Sequence, residues 1–144
     1  MKVSTKARYG LRFLVELAAG GAKGPVFLKD IARTQDISEK YLSRIVIDLK
    51  AAGLVDGFRG AHGGYILAKK PENITLREVV TTLEGDLSPV DCVKEGGLCG
   101  RMSMCATHDA WRKLKDAINS TLESITLASL VEKRNEKCQG MYYI

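Results

Sequence analysis

Cys92, Cys99, Cys105 and His108 stand in the pattern C-x6-C-x5-C-x2-H, within the segment DCVKEGGLCGRMSMCATH. Three thiolates and an imidazole are soft donors suited to zinc or to iron–sulfur chemistry. The segment is rich in glycine and poor in large apolar residues, so it wraps an inorganic centre more readily than it packs a core. Cys105 and His108 are three residues apart where a helix is expected to begin, and that spacing would place both on one side of it. The spacing is not the C-x2-C…C-x2-C of a zinc ribbon. The residues alone leave three chemistries open: structural zinc, an iron–sulfur cluster, or redox-active thiols. Cys138 stands apart and reads as a free thiol. Met102 and Met104 read as loop packing residues, and Trp111 as a core residue that keeps water from a nearby site.

The elements that must position this segment follow from periodicity and caps. Ala7, Leu11, Leu14 and Ala18 recur at helical spacing, so residues 5–19 form a helix that Ser4 or Thr5 caps and Gly20-Gly21 stops. Gly24 and Pro25 mark a loop. Leu28 to Gln35 forms a short helix, Gln35 to Ser38 a tight turn, and Ser38 caps a third helix to about Ala52 with Leu42, Ile45, Val46 and Leu49 on its buried stripe. Gly53 suits a left-handed cap. Residues 54–58 and 64–68 form a hairpin with a glycine-rich basic tip, and Pro71 closes the unit. Thr75 with Glu78 is a capping-box pair opening a helix to about Leu83. After the cysteine segment, Trp111, Leu114, Ile118, Leu122 and Ile125 define an amphipathic helix. A short last helix starts near Thr126, and the chain frays from Asn135.

The predicted fold is mainly α with a small β-hairpin wing: a winged helix-turn-helix followed by a long amphipathic helix. Its parts are the winged helix-turn-helix (1–71), a second part (72–134) with the cysteine loop (85–108) and the long helix (109–125), and a flexible tail (135–144).

Charge divides the chain the same way. Net charge is +5, but residues 1–70 carry thirteen Lys/Arg against six Asp/Glu, whereas residues 71–144 carry nine against eleven. The basic half fits a polyanion. A helix entering the major groove needs short polar or basic residues near its N-terminus. Ser38, Lys40, Tyr41, Ser43 and Arg44 meet that need, with Arg44 the reader of base edges and Ser38 at the amide-rich end that meets phosphate. On the wing, Arg59 can enter a neighbouring minor groove, Gly60 lets the backbone approach, and His62 lies near a phosphate. An enzyme is not expected: there is no C-x2-C redox pair, no acid–base pair set in a pocket and no phosphate loop. The N-terminus MKVSTKARYG has no signal-peptide character and no apolar stretch is long enough to span a bilayer, which points to a cytoplasmic protein without membrane partners. A reducing cytosol argues against a disulfide framework.

Taken in this order, the features resemble the family of winged-helix iron–sulfur regulators that includes IscR and NsrR. The carrying segments are STKARYGL at 4–11, ISEKYLSRI at 37–45, RGAHGGYILAK at 59–69, the helix after Thr75, the three-cysteine run, and WRKLKDAINSTLESITLASLV at 111–131. The resemblance implies a homodimer in which the helix at 109–125 crosses its twin with Leu114, Ile118 and Leu122 in the seam, bound to a roughly palindromic site on double-stranded DNA. It also implies an iron–sulfur cluster on the three cysteines, delivered by the iron–sulfur assembly machinery. The IscR-like branch adds a histidine three residues past the last cysteine and holds a 2Fe–2S cluster, and His108 occupies that place. A 4Fe–4S cluster or zinc is the weaker alternative. In the nitric-oxide-sensing branch an N-terminal aspartate of the other subunit can serve as ligand; Arg8 stands there in this chain. The cysteine-metabolism branch lacks the cysteine triad. The first gap here holds six residues where the family has five, an insertion that a glycine-rich loop accommodates. The function implied is a repressor of iron–sulfur biogenesis genes that reports cluster supply. Its alternatives are a nitric-oxide or redox sensor of the same fold and a DNA-binding protein with structural zinc.

Overall fold

The computed structural model describes Lys2 to Met141. The first helix, α1 (Thr5–Gly20), begins where the Ser4 hydroxyl accepts the Ala7 amide at 3.2 Å, and it buries Ala7, Gly10, Phe13, Leu14 and Leu17 at three- and four-residue spacing. Helix α2 (Leu28–Gln35) ends in a Schellman-type turn. Asp36 takes the left-handed conformation (φ 53°, ψ 50°), and the amide of Ile37 reaches back to the Ala32 carbonyl at 2.9 Å. Ile37 is buried behind that turn. Ser38 then caps α3 (Glu39–Ala51) by accepting the Tyr41 amide. Arg12 of α1 holds the pair from behind, donating to both the side chain and the carbonyl of Gln35 at the carbonyl end of α2.

Strands β1 (Val55–Phe58) and β2 (Gly64–Leu67) pair antiparallel, Val55 opposite Leu67 and Phe58 opposite Gly64. The wing is fastened to the body by a pairing within the expected loop at Gly24 and Pro25. Val26 forms a one-residue bridge to Tyr65: its amide donates to the Tyr65 carbonyl at 2.9 Å, and its carbonyl accepts from the Tyr65 amide at 2.8 Å. The Tyr65 ring meets Phe13 edge-on at 6.2 Å, which ties the hairpin to the centre of the core.

Thr75 caps α4 (Leu76–Glu84), whose Val79, Val80 and Leu83 join the core. Gly10 is where α1 meets α4 and α3: a Cβ there would stand 2.3 Å from Leu83 Cδ1 and 3.1 Å from Ile45 Cγ2. Helices α5 (His108–Ser124) and α6 (Leu127–Gly140) complete the chain. A second unforeseen bridge joins Thr75 to Thr126, so the start of α4 and the α5–α6 junction are pinned together, and Leu127 is buried there.

Two expectations are corrected. The last helix does not fray at Asn135 but runs to Gly140. Arg134 grips Glu16 of α1 with two nitrogens at 2.7 and 2.9 Å, and no helix breaker follows before Gly140. The expected tail thus shrinks, and residues 142–144 lie outside the described part. Trp111 is not core: it is 39% exposed, with Leu114 beside it at 44%. No residue of α5 is fully buried: Ile118 and Leu122 are half-buried against α1 and α4, and Trp111 and Leu114 are exposed.

Candidate functional site

Two sites were anticipated, and the fold places them on different elements. The first is the basic face of α3 and the wing. Lys40 and Arg44 are exposed one turn apart, and among the described residues neither forms an ion pair. Ser38 is exposed at the helix start, its hydroxyl already taken up as acceptor for the Tyr41 amide. Ser43 is half-buried and turns back to donate to the Lys40 carbonyl at 2.7 Å. Tyr41 is half-buried and meets Tyr9 edge-on at 6.0 Å, so its ring packs α3 against α1. At the tip, Arg59, Gly60 and His62 are exposed; Gly60 has φ 101°, and the turn is closed by the Gly63 amide on the Gly60 carbonyl at 3.0 Å.

The second site is the segment from Gly85 to Thr107, between α4 and α5. It carries two single-turn 3-10 pieces, Asp91–Val93 and Met102–Met104. Asp86 leads it off α4, accepting from the Ser88 amide at 2.8 Å and hydroxyl at 2.7 Å, and these two bonds hold its carboxyl below the usual carboxylate range. Cys92 is half-buried in the first piece. Cys99 is exposed. Cys105 is half-buried next to α5, and His108 is the first residue of that helix. Cys105 itself is not helical (φ −90°, ψ 108°), so the expected pairing of Cys105 and His108 on one helix face does not occur; a turn from the His108 amide to the Cys105 carbonyl at 3.2 Å connects them instead.

All three cysteines are free thiols. Among the described residues no three His, Cys, Asp or Glu side chains converge on one point. The chemistry of the donor set nevertheless fits an iron–sulfur or zinc group: unbonded thiols on a turn-built segment and an imidazole at its end. The Cys105 thiol is drawn below its ordinary range by the Thr107 hydroxyl, 3.3 Å from the sulfur, and by the amides of Thr107 and His108. Thiolate therefore accumulates at Cys105 at a lower pH than at an isolated cysteine. In metal-free protein, the pH midpoint of Cys105 alkylation by iodoacetamide, followed by mass spectrometry, is expected below the ordinary thiol range and to rise in Thr107→Val. An unchanged midpoint in the variant would refute the assignment.

One functional contact was not foreseen. Lys115 of α5 donates to the Val93 carbonyl at 2.5 Å, and Val93 is buried although its neighbours are not. The residue after Cys92 is thus fixed to α5 at Lys115, while the other end of the segment joins α5 at His108. Those two anchor points are two helical turns apart, on the same side of the helix. Between them Leu98 and Met104 stand in solvent. Closing the segment around a bound group would act on the first two turns of α5. The sequence signal was slight: one of two valines in a polar loop and one of the two lysines in WRKLKD.

Helix, turn, recognition helix and hairpin, with exposed cations on the outward face, define a winged-helix DNA-binding regulator. Comparison with known proteins agrees. The family model described as "Rrf2: Iron-dependent Transcriptional regulator" matches residues 3–133. The HTH-type transcriptional regulator CymR of Bacillus subtilis is 39% identical over 145 residues, covering 100% of both chains, and protein rrf2 of Nitratidesulfovibrio vulgaris is 43% identical over 131 residues, covering 91% of this chain and 87% of its own. Among solved structures, CymR, described as the global cysteine regulator of B. subtilis, superposes with a TM-score of 0.79 at 40% identity, over 92% of this chain and 98% of its own. T. potens IscR superposes with a TM-score of 0.76 at 39% identity, over 99% of this chain and 97% of its own. The chain belongs to the Rrf2 family of transcriptional regulators; its relatives are regulators, not enzymes. Among the described residues no helix is long and apolar enough to cross a membrane.

Proposed function

We propose that this regulator is a homodimeric repressor of iron–sulfur biogenesis genes, and that its operator affinity is set by a 2Fe–2S cluster held by Cys92, Cys99, Cys105 and His108. The observation that carries the reading is the placement of those four donors on one turn-built segment, anchored to α5 at both ends. The assembly machinery would deliver the cluster. When bound, the cluster supplies a redox-sensitive and labile link among the donors. The chain's own residues do the rest. Lys115 and Val93 hold the Cys92 end, His108 joins the other end to α5, and α5 transmits the closed segment to the dimer. A ligand that favours one arrangement shifts the equilibrium by its differential affinity for the two.

The proposed dimer seam lies on α5. Trp111 and Leu114 are exposed, while Ile118 and Leu122 line an apolar groove of about 620 Å³ together with Val3, Leu11, Val80 and Leu87. A crossing α5 from a second copy would cover that stripe and set two α3 helices for successive major grooves. Arg8 also lines the groove, so a partner chain would meet a cation there and not an acidic ligand.

On duplex DNA, Arg44 is assigned to base edges and Lys40 to phosphate. Arg44→Ala is expected to cost about 1–3 kcal/mol on the preferred duplex and little on a scrambled one. Lys40→Ala should weaken both alike and lower the salt slope by about one. Fluorescence anisotropy at several salt concentrations separates the two, and identical behaviour of both variants would remove the assignment. The cofactor is tested on anaerobically purified protein: iron and sulfide in equal amounts with visible absorbance support the proposal, whereas zinc alone supports constitutive DNA binding with a structural metal. Release from DNA by nitric oxide, without a response to iron limitation, would favour the nitric-oxide sensor.

A second reading has its own support. Similarity to CymR covers the whole of both chains, at an identity matching that to T. potens IscR. A regulator of cysteine metabolism would purify without iron or sulfide and bind DNA equally with or without its three thiols.

A further inference from the structure

Ile47 is 65% exposed on α3 and belongs to neither the core nor the residues packed against it. An isolated exposed isoleucine is ordinary on an arbitrary protein surface. Its position here is not arbitrary. Lys40, Arg44 and Ile47 fall at i, i+4 and i+7, one face of α3, opposite the buried Leu42, Ile45, Val46 and Leu49. Lys50, also exposed, continues the cationic flank one turn further on. A β-branched side chain gains nothing for the helix itself at a solvated position.

Within the major groove the apolar group offered by a base pair is the thymine C5-methyl; the other groups are hydrogen-bond donors and acceptors. We propose that Ile47 is a specificity-determining residue that packs against a thymine C5-methyl group in each half-site. Seven residues of helix advance about 10 Å, so this contact lies roughly three base steps from the one made by Lys40. The inference rests on α3 being the groove-reading helix.

The test uses the full-length protein. A binding site is selected from random duplexes, and each thymine of a half-site is then replaced in turn by deoxyuridine, which removes only the methyl. Wild-type protein should lose about fourfold in affinity at one thymine per half-site, the worth of one buried methyl. Ile47→Ala removes the contact from both half-sites, so it should bind the thymine duplex about as weakly as wild type binds a duplex with deoxyuridine at that position in both half-sites, with no further loss on replacement. Far-ultraviolet circular dichroism and melting of Ile47→Ala should match wild type, as expected for an exposed position. A selected half-site whose thymines all tolerate deoxyuridine, or an equal loss in both proteins, overturns the contact. If Arg44→Ala still relaxes specificity in that case, the groove-reading role of α3 stands and only the Ile47 contact falls. If no duplex is enriched, both fall.

Discussion

Replacing Cys92, Cys99 and Cys105 together by serine is expected to abolish retention of iron and sulfide and to change operator affinity at least tenfold, with no material change in the melting temperature of the metal-free protein. The separation of these effects follows from burial. None of the three sulfurs belongs to the core; two side chains are half-buried and Cys99 is exposed. Among the described residues, the one side-chain hydrogen bond these cysteines make is Cys105 to Thr107. Substitutions at such positions alter stability by about 0.5 kcal/mol or less. The effect on DNA has another origin. A tenfold change in affinity corresponds to about 1.4 kcal/mol of coupling between the loop and the DNA-binding face, a modest demand on a segment tied to α5 at Lys115 and His108. Anisotropy titrations of loaded wild type and of the triple variant, both without oxygen, measure it. Equal affinities would leave a DNA-binding family member whose thiols have no part in regulation. Lys115→Met should leave metal content intact while shrinking the affinity difference, because it frees the Cys92 end from α5 without touching a donor.

The DNA-binding half was legible because its signals are local. Ser4, Ser38 and Thr75 each announce a helix start by their own chemistry, and all three hydroxyls accept the amide three residues on. The hairpin could be read from its glycine-rich tip and the short runs on either side of it, and the turn from Gln35 to Ser38 from the cap that follows it. What could not be read depends on residues far apart in sequence. The Val26–Tyr65 and Thr75–Thr126 bridges are single-residue pairings with no period to detect. The Glu16–Arg134 pair that extends α6 joins opposite ends of the chain. Trp111 reads as core by type, since periodicity reports that a face is apolar and not whose surface covers it. The cysteine spacing identified a donor set, but backbone conformation decided that Cys105 precedes α5 instead of lying on it.

Gly64→Ala is expected to lower stability by about 3 kcal/mol and operator affinity more than tenfold. Gly64 has φ 127°, a conformation that alanine rarely adopts. Strain is the smaller part. An added Cβ would stand 2.7 Å from the Val26 carbonyl oxygen and 2.8 Å from its carbon, both backbone atoms that cannot swing aside. Relief requires β2 to leave Val26, which breaks the reciprocal pair of hydrogen bonds at Tyr65 and loosens the Phe13–Tyr65 contact. The hairpin that carries Arg59 would then lose its attachment to the body. Gly60 provides the internal comparison: its φ is 101°, but nothing lies within 4 Å of its added Cβ. Gly60→Ala should therefore show strain alone, about 1 kcal/mol, and keep the wing docked. Thermal melts of the two variants, with anisotropy on one duplex, give the comparison. A Gly64→Ala protein as stable as Gly60→Ala would mean that the wing does not rest on Val26 in solution, and the route from the core through Tyr65 to Arg59 would have to be abandoned.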